Sequence, residues 1–251
     1  MANLISIITI NFNNKAGLLK TMKSVFEQKF TDYEFIIIDG LSTDGSKEII
    51  EEHQQRLSHW VSEKDAGVYD AMNKGIRQAT GKYLFFLNSG DCFVDANVLA
   101  KITEPMISND YDFIYGNVSI NNKIVRYKNV LSLYYLLNQG MCHQTQFLKK
   151  ELFEKYGYYN SAYKITADHC QLMLFLAKHN ATYFHVDVAV AIIEPGGMSA
   201  ASIHSNRKER VAFLQKEFPL LVEDYISLKS YKKLNIFERA KNLFQRKFLS
   251  N

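Results

Sequence analysis

The residues best placed to do chemistry in this chain are Asn88-Ser89-Gly90-Asp91, which follow the apolar run Tyr83–Leu87 without a break. A hard cation such as Mg2+ or Mn2+ takes oxygen ligands, commonly one or two carboxylates together with substrate phosphates. One carboxylate flanked by neutral oxygens, with a glycine that permits close approach, suits that task. The competing reading is a plain strand-end turn, because Asn, Ser, Gly and Asp are all turn formers. In an open α/β sheet, polar residues just past the carboxyl end of a buried strand face the ligand crevice. Asp91 therefore sits where a cation and its phosphates would sit.

Two further aspartates share this kind of position. Asp39 ends the run Tyr33–Ile38, where a carboxylate can accept an imide N–H of a base or bond a ribose hydroxyl; we assign it to the crevice. Asp44, deeper in the same loop, reads as an aspartate bonding its own backbone. Asp65, in Lys64-Asp65-Ala66-Gly67, precedes a helix and serves either the crevice or the helix cap. A dinucleotide fingerprint G-x-G-x-x-G is missing after the first strand, and so is a phosphate loop G-x4-G-K-[ST]. Both absences argue against a dehydrogenase or an NTPase.

The elements that must position these residues follow from period. Leu4–Ile10 is a buried strand, and a helix over about 16–28 carries Leu18, Leu19, Met22, Val25 and Phe26 on one side. Tyr33–Ile38 is a second strand, followed by a helix over about 47–55, and Leu57–Ser62 is a third strand. Val68–Ala79 is a helix with Val68, Ala71, Met72, Ile76 and Ala79 at three-to-four-residue spacing, and Tyr83–Leu87 is apolar throughout, as a strand covered on both faces must be. Alternating strands and helices predict a parallel sheet with right-handed crossovers. The second half reads as a mixture. It has a helix over 96–106, paired strands 112–118 and 120–127 across Asn121-Asn122, and an apolar helix or loop over 130–137. Then come a strand 143–149, helices 151–156 and 167–178, a strand 183–193, and a helical region from about Ser205. This predicts an α/β domain over 1–204, with a nucleotide-binding half (1–95) and an acceptor half (96–204), and a C-terminal helical extension over 205–251.

Composition narrows the class. A hydrophobic share of 47% with 22% charged residues in 251 residues is globular. Cys92, Cys142 and Cys170 have no metal-type spacing and cannot all pair, which points to a reduced, cytoplasmic compartment. No apolar run reaches the ~18–20 residues of a membrane span, and no secretory leader is visible. Of the net charge of +4, the stretch from Leu228 holds an excess of six, with seven basic residues against Glu238 alone, so the body is near −2. The body is thus no nucleic-acid surface. Phe237, Ala240, Phe244 and Phe248 share one face of the tail, with Lys and Arg elsewhere. That pattern suits either peripheral contact with an anionic membrane or a terminal helix packed on its own domain.

The segments ISIITINFNN, FIIIDGLSTDGS, SEKDAGVYDAMNKGIRQATGKYLFFLNSGD, CHQTQF and KITADH, in this order, resemble the inverting family-2 glycosyltransferases of bacterial polysaccharide assembly. The resemblance covers about two-thirds of the chain and implies the GT-A fold, a Rossmann-like, mostly parallel central sheet flanked by helices. It implies a nucleotide-diphosphate sugar donor, UDP-linked, and a lipid-linked or growing glycan acceptor at the inner membrane face. By resemblance, Thr9 and Asn11 lie under the base and ribose, Asp39 contacts the base, Asp65 lies further along the nucleotide pocket, and Asn88 and Ser89 border it. Asp91 matches the last carboxylate of the family's metal motif and implies Mn2+ or Mg2+. Many members carry Asp-x-Asp-Asp there, whereas here Asn88 and Gly90 replace the first two carboxylates, so a metal rests on Asp91 and another group. Asp168 matches the catalytic base, the group that takes the proton of the attacking hydroxyl; read without the resemblance, it is a helix cap. His143 and Gln144 resemble the polar pair on the acceptor or diphosphate side. Gly196-Gly197-Met198-Ser199 resembles a loop closing over donor, with His204 as a further metal ligand. Two rival readings are a sugar nucleotidyltransferase, which would release diphosphate, and a non-catalytic subunit that binds nucleotide sugar or glycan.

Overall fold

The structure is a computed structural model that describes residues 3–193, 203–224 and 227. The glycine loop after Ile193 and the tail helix at 234–248 lie outside the described residues. The chain divides into two compact units, residues 1–203 and 204–251. Among the described residues, no helix is long and apolar enough to cross a membrane.

The first unit begins as periodicity predicts. β1 (Ile5–Asn11), α1 (Lys15–Phe26), β2 (Tyr33–Asp39), α2 (Ser46–His53), β3 (His59–Ser62), α3 (Val68–Gln78) and β4 (Tyr83–Phe86) alternate along the chain. β3, β2, β1 and β4 lie side by side in parallel register, with Asn11 opposite Asp39 and Asp39 opposite Ser62. The polar strand ends are thereby gathered at one edge. α3 packs on β1 at very short range because Gly75 has no side chain: a Cβ there would strike Ile8.

The remaining elements of this unit are β5 (Cys92–Phe93), α4 (Val98–Asn109), β6 (Phe113–Ile120), β7 (Lys123–Val125), α5 (Leu133–Asn138), β8 (Gln146–Lys149), α6 (Lys150–Tyr156), α7 (Ala167–Met173) and β9 (Tyr183–Ile193). They extend the sheet to the order β3-β2-β1-β4-β8-β6-β9-β5, with β7 pairing β6. β8 runs antiparallel to both β4 and β6, while β6 and β9 are parallel. Ring stacking fastens this mixed half to the parallel half: Phe85 of β4 lies between Phe93 and Phe147, with centroids 5.2 and 4.3 Å away. At the amino ends of the strands, the buried Glu34 carboxylate accepts from the Ser6 and Thr80 hydroxyls and from the Thr80 and Gly81 amides. It holds the α3–β4 turn against β1 and β2.

Three local expectations change. The strand expected over 143–149 starts only at Gln146, because His143–Thr145 form a 3-10 turn closed by Thr145 onto the Cys142 carbonyl. The second strand of the 112–127 pair is only Lys123–Val125, and its hairpin is made by Asn121 and Asn122, both at positive φ (51° and 59°). That backbone suits a two-residue turn between twisted strands. The helix expected over 167–178 is α-helical to Met173 and widens into a π turn over Leu174–Lys178. In the second unit, α8 (Ile203–Glu217) is followed by further helical residues at 219–224.

Candidate active site

The carboxyl ends of β1, β2, β3 and β4 form the floor. Asp39 is fully buried, and its carboxylate accepts four hydrogen bonds, from Asn11 Nδ2 (2.8 Å), the Ser42 amide (2.9 Å), the Ser42 hydroxyl and the Ser62 hydroxyl (2.6 Å). A carboxylate offers about four such positions. Asp39 therefore ties three strand ends together beneath the crevice and is saturated in doing so. Thr9 is equally buried and donates its hydroxyl to the Leu87 carbonyl, which joins β1 to the end of β4. Asn11 is almost fully buried, and its Oδ1 has no hydrogen-bond partner among the described residues. Asp44 accepts from the Ser46 amide and hydroxyl and from the Lys15 amide, the loop role read from sequence.

Above this floor stands Phe12, 68% exposed. A side chain at Gly40 would lie 3.0 Å from Asp65 Oδ2 and 3.2 Å from the Phe12 ring, so the glycine keeps a gap open between them. Asp65 does not cap α3: the cap residue is Gly67, and Asp70 reaches back to the Ala66 amide at 3.0 Å. Asp65 instead pairs with Lys74 Nζ at 2.6 Å. Burial raises its carboxyl pKa despite that ammonium. Phe12 and Gly40, an aromatic and a glycine each one residue past a strand, are not titratable, so residue chemistry alone does not single them out.

The 88–91 turn is built against the start of α1. Gly90 adopts φ +104°, a region that favours glycine. Thr21 accepts from the Gly90 amide at 3.0 Å and donates to the Asp91 carbonyl at 2.6 Å. Ser89 exchanges hydrogen bonds with Asn14, the N-cap of α1, from its hydroxyl to the Asn14 carbonyl and from Asn14 Nδ2 to its own carbonyl. Ser89 is thereby a brace. The side chains of Asn88 and Asp91 reach the 3-10 turn instead: Asp91 Oδ2 accepts from Gln144 Nε2 at 2.8 Å, and Asn88 Nδ2 meets His143 Nε2 at 2.9 Å. Asn88 Oδ1 is buried with no hydrogen-bond partner among the described residues.

His143 carries the chain onward. Its Nδ1 lies 3.4 Å from Asp168 Oδ2, and Tyr69 donates its hydroxyl to Asp168 Oδ1 at 2.8 Å. The Asp168 side chain is 17% exposed and that of His143 20%. Burial by itself would raise the Asp168 pKa, but the bond and charge of His143 and the Tyr69 hydroxyl outweigh it, leaving the carboxyl below its ordinary value. Tyr69 is driven the other way by burial and by the Asp168 charge, so it stays an O–H donor. Asp168 is not the N-cap residue of α7, which is Thr166; its carboxylate takes the His169 amide in the first turn, and its side-chain partners come from α3 and the 3-10 turn. Adjacent residues, His143 and Gln144, thus tie together two aspartates 77 positions apart in the chain. Tyr69 is the member that sequence reasoning missed, since a tyrosine on a helix face reads as core. His204 lies in the first turn of α8, and its side chain lies outside the described residues.

One carboxylate, Asp91, stands at the strand-end turn, and no group of three or more His, Cys, Asp or Glu among the described residues forms a metal cage. That donor set fits a cation shared with a ligand's phosphates better than a resident metal. The arrangement as a whole is one carboxylate, Asp91, at the strand-end turn, a second and largely buried carboxylate, Asp168, joined to it through His143 and Gln144, and the exposed Phe12 ring.

The chain is similar to several known proteins in sequence and in fold. The chain is 33% identical over 205 residues to a PGL/p-HBAD biosynthesis glycosyltransferase of Mycobacterium bovis, covering 79% of this chain and 80% of the relative. It is 30% identical over 125 residues to the Escherichia coli UDP-Glc:alpha-D-GlcNAc-diphosphoundecaprenol beta-1,3-glucosyltransferase WfgD, covering 49% of each. In fold it matches Staphylococcus aureus TarS 1-349 in complex with UDP at a TM-score of 0.68 and 17% identity, over 86% of this chain and 66% of that one. It also matches the Pyrobaculum calidifontis mannosyltransferase PcManGT, in complex with GDP-Man and Mn2+, at 0.63 and 16%, over 84% and 62%. The sheet and its crevice are accordingly those of the GT-A fold. The sequence model of Glycosyl transferase family 2 matches residues 6–184, which span β1 to β9 and every residue of the crevice described above, and the chain belongs to that family.

Proposed function

We propose that the protein is an inverting glycosyltransferase that moves a sugar from a UDP-linked donor to a hydroxyl of a lipid-linked or growing glycan. The observation that supports this reading is the link of Asp168 to Asp91 through His143-Gln144; in this reading Asp168 is the base and Asp91 the carboxylate on the phosphate side. In this reading the base of the nucleotide lies against Phe12 over Gly40, within reach of Asp65. Asp39 supports that surface from below, and Asn11 Oδ1 supplies an acceptor toward the ribose.

The acceptor hydroxyl attacks the anomeric carbon on the face opposite the nucleoside diphosphate. Its O–C bond forms as the C–O bond to the diphosphate breaks, and Asp168 takes the hydroxyl proton. A lowered pKa keeps Asp168 unprotonated and ready at neutral pH. Asp91, turned by Gln144, and the side-chain Oδ1 of Asn88 would hold Mn2+ or Mg2+ with the diphosphate. When bound, such a cation offsets charge on the leaving group. The relative WfgD is named for a diphosphoundecaprenol acceptor, and the basic tail of this chain would suit the anionic surface where such an acceptor resides.

The test is UDP release from a panel of UDP-sugars with a lipid-linked acceptor, with and without Mn2+. We expect Asp168→Asn to lose about 10²–10⁴-fold in turnover while still binding UDP. Asp91→Asn should lose donor binding as well as turnover. Full transfer by both variants would refute the reading, and release of diphosphate from a nucleoside triphosphate would replace it with a nucleotidyltransferase.

A further inference from the structure

We propose that Tyr69 is a positioning residue for the transfer, holding the Asp168 carboxylate from the donor side of the crevice; this rests on Asp168 being the base. Tyr69 and Asn73 lie four residues apart on α3 and so share one face of the helix. Both are buried, and both reach across to the stretch that leads into α7. Asn73 clamps the backbone of Tyr159, donating to its carbonyl at 2.8 Å and accepting from its amide at 3.0 Å. The Tyr69 ring packs on the Tyr159 ring at 5.7 Å, and its hydroxyl bonds Asp168 Oδ1. On the α7 side, Gln171 donates to the Gly157 carbonyl at 3.0 Å, so the connection is tied at both ends.

The bond from Tyr69 has a definite geometric consequence. His143 faces Oδ2 of Asp168 and the His169 amide also bonds the carboxylate, while Tyr69 is the side chain that meets Oδ1. With Tyr69 on Oδ1 and His143 on Oδ2, the plane of the carboxylate is set, and the lone pairs left over point in fixed directions. The hydroxyl acts on position and basicity with opposite signs. A hydrogen bond to the charged form weakens the base, whereas a fixed lone pair speeds proton removal. The two roles therefore predict opposite changes in rate when the hydroxyl is removed. The other titratable groups around Asp168 are His143, Cys142 and Tyr159, none of which bonds Oδ1.

The experiment is Tyr69→Phe in the full chain, which deletes one hydroxyl and keeps the ring. kcat, the donor KM, the pH profile of kcat/KM and the Asp168 titration by carbon-13 NMR of aspartate-labelled protein are measured together, with Asp168→Asn for assignment. We expect kcat to fall on the order of 10–100-fold with donor KM unchanged, and both the acid limb and the Asp168 titration to move upward. Replacing Tyr69 with p-aminophenylalanine, which retains a donor, should restore most of kcat and also covers a Phe variant that folds poorly. Unchanged kcat and titration would overturn the proposal, and so would a kcat that rises as the titration moves up. Wild-type turnover by Asp168→Asn would instead remove the base assignment and the positioning role with it. That failure is separable because the NMR titration is read without turnover.

Discussion

Replacing Asn73 with Ala tests the link between α3 and the Asp168 carboxylate most directly. Asn73 is 6% exposed and Tyr159 4%, so water has little access to either. The substitution removes two hydrogen bonds, each worth about 1 kcal/mol net, and strands the buried amide and carbonyl of Tyr159 at about 1–3 kcal/mol each if neither is re-paired. Better helix propensity returns about 0.5 kcal/mol. With partial relaxation of the loop, the expected loss is about 2–4 kcal/mol, a large fraction of the ~5–15 kcal/mol typical of a folded domain. Urea unfolding followed by the fluorescence of Trp60, the sole tryptophan, should show the midpoint falling by roughly 1–2 M at an ordinary slope of ~2 kcal/mol per M. Because Tyr159 precedes Asp168 by nine residues on the tethered stretch, kcat should fall with little change in donor KM. A midpoint shift corresponding to less than about 0.5 kcal/mol would show that the clamp is replaced without cost, and the reasoning about this helix face would fail.

Other outcomes follow from the same geometry. Gly75→Ala should destabilise by about 1–2 kcal/mol despite a helix-propensity gain near 1 kcal/mol, because the new methyl strikes Ile8; a raised melting temperature would contradict the packing. Phe12→Ala should weaken UDP binding by roughly 5–100-fold, the worth of one stacked base, with melting temperature unchanged, as calorimetry would show. The Asp168 pKa is lowered from an ordinary 3.8, so its contribution to stability is complete above about pH 4 and is lost as pH falls through the lower folded value. Its acid limb in kcat/KM should lie below pH ~4 in the wild type and move upward in His143→Ala, where burial loses its main opponent; an unmoved limb would separate His143 from the base. Chelation of divalent cations should abolish the thermal shift produced by a UDP-sugar while leaving the unliganded melting temperature unchanged, since Asp91 alone does not form a resident cage.

The alternating half of the sheet was legible because a buried parallel strand must be apolar along its whole length, and a helix covering it must repeat every three to four residues. Ile5–Asn11, Tyr33–Asp39 and Val68–Gln78 obey those rules within a residue or two. The turn Asn88–Asp91 was legible for the related reason that a strand covered on both faces can change to four polar residues only at its end. Family membership was legible too, because the segments that carry it are contiguous and ordered along the chain.

The partners of the carboxylates were decided only by the tertiary structure. Asp39 ends β2 and Asp91 closes the turn after β4, yet one is sealed under the crevice by four donors while the other takes the Gln144 amide. Nothing local distinguishes them, since the donors come from distant turns and neighbouring strands. Asp168 read alone is a residue of a first helical turn; its low pKa exists because the 3-10 turn delivers His143 and α3 delivers Tyr69, 99 residues away. Sequence thus determined which groups were available and on which elements they sat, through rules that act over a few residues. Protonation, orientation and burial were left to the packing of α3, the 3-10 turn and α7, because a buried charge is stabilised by whatever the fold places within about 3 Å of it.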